Sequence, residues 1–171
     1  VPLQMANIAS ILANRGYYYT PHLIRKEEDA SPLERRVTNI DPQYFNIVAN
    51  AMQKVVEKGT ATRAKIDSIT VCGKTGTSEN PHGKDHSIFL AFAPKEEPKI
   101  AISVIVENSG FGGTWAAPIA SLMIEKYLTG KISNKAKKER ILTARSEEHT
   151  SELHHKPISY AVFCLKKKNT T

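Results

Sequence analysis

The chain has 171 residues, 24 Lys+Arg against 17 Asp+Glu, a formal net charge of +7 and 40% hydrophobic residues. At roughly 150 residues per domain this is one domain or part of one, and the apolar fraction excludes a disordered tail. No apolar run approaches the ~18–20 residues of a membrane helix and no secretory signal opens the chain. Cys72 and Cys164, the two cysteines, cannot build a disulfide framework.

The charge is unevenly spread. Residues 1–130 carry 14 basic and 13 acidic side chains, residues 131–171 carry 10 and 4, and all 9 glycines precede position 131. The positive excess therefore belongs to a tail of different composition, and the basic balance is no argument for nucleic acid as a partner.

In chain order, a first helix opens at Val1-Pro2-Leu3, with Leu3, Ile8, Ile11 and Leu12 on one face and Gly16 as its stop. Residues 17–26 read as extended, and the charged stretch 27–36 around Pro32 as a surface loop. Asp41-Pro42 starts a second helix with a capping carboxylate and a first-position proline. Its apolar stripe is Tyr44, Ile47, Val48, Ala51, Met52 and Val55, and Gly59 ends it. Three extended runs follow, at 68–75, 87–93 and 99–106, the last two joined by a short link at 94–98. The loop Phe111-Gly112-Gly113 leads into a last helix from Trp115 to Leu128, stopped by Gly130. Strands consecutive in sequence, with helices before and after, imply an α+β fold: an antiparallel sheet covered by helices.

The tail has no sustained period. Residues 131–144 form a basic stretch in which Lys135, Lys137 and Lys138 suit a solvated helix end. From Arg145 the chain reads Arg-Ser-Glu-Glu-His-Thr-Ser-Glu-Leu, which is the translation of a sequencing-library adapter beginning AGATCGGAAGAGCACACGTCTGAACTC. Residues 145–171 are therefore expected to be read-through of adapter DNA and are set aside from fold reasoning. The plainer alternative is a natural basic tail. His154, His155 and Cys164 carry no metal or redox expectation.

One polar constellation stands out: Cys72-Gly73-Lys74-Thr75-Gly76-Thr77-Ser78-Glu79. Gly73-Lys74-Thr75 has the ending of a phosphate-binding loop, but that motif needs Gly at 68, where Ser stands, and a helix afterwards, where Asn80-Pro81-His82-Gly83 signals a turn. The nucleotide reading fails on both counts. As a strand bordering an acyl-transfer site, the same residues have a chemistry. Lys74 supplies positive potential and a partner for proton transfer. Thr75 and Thr77, two residues apart, share a side and offer two hydroxyls to a carboxylate. Gly76 removes a side chain so that an extended substrate can lie along the strand edge, and the Thr77 backbone N–H can serve an oxyanion hole. The plainer reading is a turn with an exposed lysine.

Several separated segments decide between these. Leu3-Gln4-Met5-Ala6-Asn7, Tyr19-Thr20-Pro21-His22-Leu23, Gly59-Thr60-Ala61, Gly73-Lys74-Thr75-Gly76-Thr77 and Asp85-His86-Ser87 through Pro94 occur in one order. Over residues 1–130 the chain resembles the last part of the transpeptidase domain of class B, elongation-type penicillin-binding proteins. The resemblance implies an acyltransferase acting on peptidoglycan stem peptides ending in D-Ala-D-Ala, with β-lactams as ligands and cell-wall synthesis proteins as partners. It also implies a bacterial membrane location, the catalytic domain on the outer side. Lys74, Thr75, Gly76 and Thr77 match the family's third motif, and no metal or other cofactor is implied.

The family's nucleophile motif, Ser-x-x-Lys, does not occur in the chain, and its second motif, Ser-x-Asn, is expected to be missing from residues 1–130, since both precede this region in the family. The expectation is a C-terminal part of the domain, inert alone. The alternatives are a non-catalytic penicillin-recognition or sensory module, and a serine β-lactamase relative. Three lesser features remain. His82, Asp85 and His86 suit a hydrogen-bonding loop better than a metal site, Cys72 a small buried hydrophobe, and Trp115 a packing anchor or a groove border.

Overall fold

The computed structural model describes residues 2–22 and 34–143, and the backbone of 158–164. Residues 23–33, expected as the end of an extended run and a loop, lie outside the described residues, as do 144–157 and 165–171.

The main sheet has four antiparallel strands in the order β3 (Cys72–Ser78), β4 (His86–Ala93), β5 (Ile100–Val106) and β6 (Ile158–Cys164). Helices α1 (Pro2–Ala13) and α2 (Pro42–Lys58) cover one face, and α3 (Ala116–Thr129) covers the other. The α+β expectation holds. β5 reads as an apolar run interrupted only by the buried Ser103, because both its faces are covered and both its edges are paired. Phe89, Ala91, Ile102 and Val104 pack under α3, while Phe92, Ala101 and Cys72 pack under α1 and α2. Phe89 and Phe92 are fully buried, each contributing about 1.5–3 kcal/mol of transfer free energy.

Asp41 caps α2 as its sequence predicts, its carboxylate accepting from the Gln43 N–H at 3.0 Å. The stripe predicted for the core faces it only in part, through the buried Met52 and the half-buried Val55. The buried residues are Phe45, Ala49, Met52 and Val56, while Tyr44, Ile47 and Val48 are exposed. α2 carries two apolar faces one residue out of step, so periodicity alone cannot choose between them. α1 departs similarly: Ala6, Ala9, Ser10 and Ala13 meet the sheet, and Ile8 is exposed. A helix seated this close to strands needs small residues at the contact, which leaves Leu12 half-buried at its margin and Ile8 outward.

Arg15, just past α1, ties three elements together. Its guanidinium donates to Asn46 Oδ1 on α2 at 2.8 Å, to the Lys95 carbonyl at 3.2 Å, and to the Leu12 and Ala13 carbonyls. β1 (Tyr17–Tyr19) pairs with β2 (Arg35–Val37), a strand in a stretch expected to be loop. Three residues are too few to show alternation, and the pairing is held by tertiary contact, with Arg35 stacked 4.1 Å from the centre of the Tyr17 ring. The strand expected at 68–75 starts at Cys72 and runs on through Ser78, because Ile66 and Ile69 close a bridge of their own. Beyond Gly130 the structure has α4 (Lys135–Thr143), where sequence suggests a solvated helix end, and β6, in the stretch expected to be adapter read-through.

Candidate active site

Among the described residues β3 is the edge strand of the sheet, so alternate backbone groups along it face away from β4. Gly76 pairs with Ile88, and Gly112 lies directly over that pair. A Cβ at Gly112 would stand 2.3 Å from the Ile88 carbonyl oxygen and 2.4 Å from that of Gly76, and one at Gly113 would stand 2.3 Å from the Thr60 carbonyl oxygen. Only glycine permits this approach. With Gly76 N and O under Gly112 beside Ile88 O, the backbone groups of Gly76 are turned toward β4. The two-residue alternation of a strand then turns those of Thr75 and Thr77 to the free edge.

The loop over β3 is fixed from below by Ser87. Its buried hydroxyl donates to the Phe111 carbonyl at 3.0 Å and accepts from the Ala116 N–H at 3.0 Å. Trp115, the N-cap position of α3, makes no side-chain cap, so a serine of β4 caps the helix instead. The second wall follows α2. Ala61 and Ala64 are fully buried and hold the 3₁₀ turn Thr62–Ala64 in place, and the Thr60 and Thr75 hydroxyls share a 2.8 Å hydrogen bond across the groove.

Between these walls lies a groove of about 560 Å³, lined by Thr60, Thr62, Arg63, the strand Lys74–Thr77 and the loop Phe111–Thr114. That is the size of a small-molecule or peptide site. Among the described residues its lining holds two cations, Lys74 and Arg63, and no carboxylate. Lys74 Nζ donates to the Thr75 carbonyl at 2.7 Å. The structure thus brings together all four residues singled out from sequence. It also divides the two threonines: the Thr75 hydroxyl is tied to Thr60, while that of Thr77 has no partner among the described residues.

Sequence reasoning missed Arg63, Thr62, Ser87 and Phe111, the last 73% exposed at the groove's rim. The paired glycines at 112 and 113 were the available signal, since a Gly-Gly loop before a helix marks a close backbone approach. Gly73-Lys74-Thr75 lies inside β3, which excludes a phosphate-binding loop at a helix start.

The lesser candidates sit elsewhere. Asp85 Oδ1 accepts from the Asn80 N–H at 3.2 Å, its carbonyl accepts from the Ser109 and Gly110 N–H groups, and His86 Nδ1 accepts from the Asn108 N–H at 3.0 Å. These groups shape the loop at the start of β4. A Ser-x-Asn triplet does occur at Ser78-Glu79-Asn80, against the expectation of none in residues 1–130, but it follows the Lys-Thr-Gly segment. Its asparagine serves the same loop, donating to Asn108 Oδ1 at 2.6 Å. Cys72 is buried, its thiol pushed up to about 11 by desolvation, against the weaker opposing fields of Lys95 and Arg15. It is a core residue, not a nucleophile. Trp115 packs on the core under α3, with Arg140 5.8 Å from its ring centre.

Residues 1–125 match the family described as the penicillin binding protein transpeptidase domain. The chain is 33% identical over 156 residues to the peptidoglycan D,D-transpeptidase MrdA of Haemophilus influenzae, covering 77% of this chain and 24% of that one. It is 34% identical over 148 residues to the peptidoglycan D,D-transpeptidase PbpA of Mycobacterium tuberculosis, covering 76% and 30%. Among solved structures, Pseudomonas aeruginosa PBP2 in complex with WCK 5153 superposes with a TM-score of 0.65 at 32% identity, over 78% of this chain and 31% of that one. The imipenem acyl-enzyme complex of penicillin-binding protein A from M. tuberculosis gives 0.64 at 31%, over 74% and 30%. The chain spans about a quarter of the length of the first curated relatives it matches.

Proposed function

Since the chain belongs to the penicillin-binding-protein transpeptidase family, we propose that it forms the Lys-Thr-Gly wall of the acyl-transfer site of a peptidoglycan D,D-transpeptidase. The observation that supports this best is the groove along the edge strand, in which, among the described residues, two cations without a carboxylate partner stand together with a threonine hydroxyl that has none.

In this reading the stem peptide lies extended along β3, adding a strand to the sheet edge. Thr77 and Lys74 hold its terminal carboxylate, and the Thr77 N–H takes the charge that develops on the carbonyl oxygen of the penultimate D-alanine. A serine from the part of the domain that this chain does not span attacks that carbon. Its oxygen–carbon bond forms, the bond to the terminal D-alanine breaks, and the released amine takes a proton. An amine of a second strand then attacks the ester, forming the cross-link and returning the serine. Lys74 sits where it can bias the proton transfers of both steps. β-Lactams enter the same groove as mimics of the D-Ala-D-Ala end. We place this work on the outer side of the bacterial membrane; no described helix is long and apolar enough to cross it.

A chimera tests the proposal: residues 1–130 joined behind the preceding part of the M. tuberculosis penicillin-binding protein A domain. The chimera is expected to be labelled covalently by a fluorescent penicillin, and this chain alone to take no label. A folded chimera without label, or stoichiometric labelling of the chain alone, overturns it.

A further inference from the structure

We propose that Arg63 is a second anion-recognising residue of the groove, so that its preferred ligand carries two carboxylates, one held along Lys74–Thr77 and one at Arg63. This rests on the reading of β3 given above and adds a specificity to it.

The charge inventory comes first. Two positive side chains face one groove, and among the described residues neither has a carboxylate partner and nothing in the lining neutralises them. A single terminal carboxylate satisfies the Lys74 wall and leaves Arg63 uncompensated. Like charges confined to one cleft also raise each other's preference for an anion.

The second argument is placement. Arg63 sits at the centre of the 3₁₀ turn Thr62–Ala64, between the buried Ala61 and Ala64 that fix its backbone. The turn is closed by Ala64 N–H to the Ala61 carbonyl at 2.8 Å and Lys65 N–H to the Thr62 carbonyl at 3.1 Å. Behind it, Lys137 on α4 donates to the Lys65 carbonyl at 3.1 Å. The opposite wall is set by the Thr60–Thr75 hydrogen bond. A guanidinium on a fixed turn, making no hydrogen bond or ion pair among the described residues, can offer its planar fork to a carboxylate without first breaking a contact. Lysine in its place would supply charge but not the two-pronged geometry.

The ligand class follows as a short peptide, or peptide mimic, with a terminal carboxylate and a second one on a neighbouring side chain. Because Arg63 is exposed, the gain is modest, about three- to tenfold in Kd, and it falls as salt rises.

Two penicillins that differ by one carboxylate test this. Benzylpenicillin carries one, and carbenicillin carries a second on its side chain. Each is titrated into the isotopically labelled full chain and followed by amide NMR, which reads weak, non-covalent binding. Both are expected to shift Thr75–Thr77 and Gly112–Thr114, carbenicillin with a Kd about three- to tenfold lower. That advantage should vanish in Arg63→Gln and survive in part in Arg63→Lys. If benzylpenicillin binds the groove and carbenicillin binds no tighter, or if the advantage persists in Arg63→Gln, the role of Arg63 is overturned while the reading of β3 stands. If neither compound moves the β3 amides, both fall together. The comparison on the native chain is decisive by itself should the variants fail to fold.

Discussion

Lys74 Nζ donates to the carbonyl of its own neighbour and has no carboxylate partner among the described residues. Replacing it with alanine in the labelled chimera removes a proton-transfer partner exercised in acylation more than in docking. The acylation rate constant should therefore fall by ~10²–10⁴-fold with a smaller change in affinity. Stopped-flow acylation of a variant shown to be folded checks this, and a loss of only a few-fold returns Lys74 to an exposed lysine on a strand. Thr75→Ala should cost less, because Thr77 has the free hydroxyl. Ser87→Ala is a different kind of loss. It strands the Phe111 carbonyl and the Ala116 N–H together, so urea unfolding should show about 1–3 kcal/mol less stability, and hydrogen exchange should quicken at 111–116. Unchanged exchange there would mean that the loop is held by something else. Lys74, Thr75 and Thr77 were legible in sequence because their chemistry is written in adjacent letters. Ser87 was not, since its partners come from a distant segment, nor was Arg63, because only the fold brings it to the groove of β3.

Among the elements, α4 shows how a basic, solvent-facing helix can still support a site. Lys137 donates to the Lys65 carbonyl behind one groove wall and to Ser121 Oγ on α3, both at 3.1 Å, while Arg140 donates to the carbonyl of Thr114 in the other wall at 3.4 Å. Burial holds the Lys137 ammonium below the ordinary lysine range, against the opposing pull of Glu125 and Asp67. With the folded value lowered, the unfolded chain binds more protons in the window between that value and ~10.4, so stability contributed by this group rises with pH there. Lys137→Met should lack that rise. Denaturation of both proteins across alkaline pH, read as a difference, checks it, and parallel curves would remove the buried lysine from the account. Sequence marked α4 only as a solvated helix end around Lys135, Lys137 and Lys138; the helix buries no residue and is positioned by two long basic side chains. The strands and α2 were legible because turn signals and a cap bracket them. The facing of α1 and α2 was not, because small residues at a close helix–sheet contact carry almost no hydrophobic signal.

The molecule as a whole leaves an apolar strip on the outside of α2 and the segment before it: Val37, Ile40, Tyr44, Ile47 and Val48. Ile47 is 63% exposed, so Ile47→Lys should change stability by no more than ~0.5 kcal/mol while raising the concentration at which the chain becomes turbid. A large fall in the unfolding midpoint would show that the side chain is packed after all. Seen from the groove, the same economy of contact has a further consequence for variation. The seats of Gly112 and Gly113 admit no added carbon, whereas Phe111 beside them stands in solvent and Thr114 is half-buried. Inherited change in this loop is thereby channelled to its two shoulders, where side chains can be traded without moving the hinge between them. The shape of what the groove accepts can drift at those two positions while the seat on the strand stays constant.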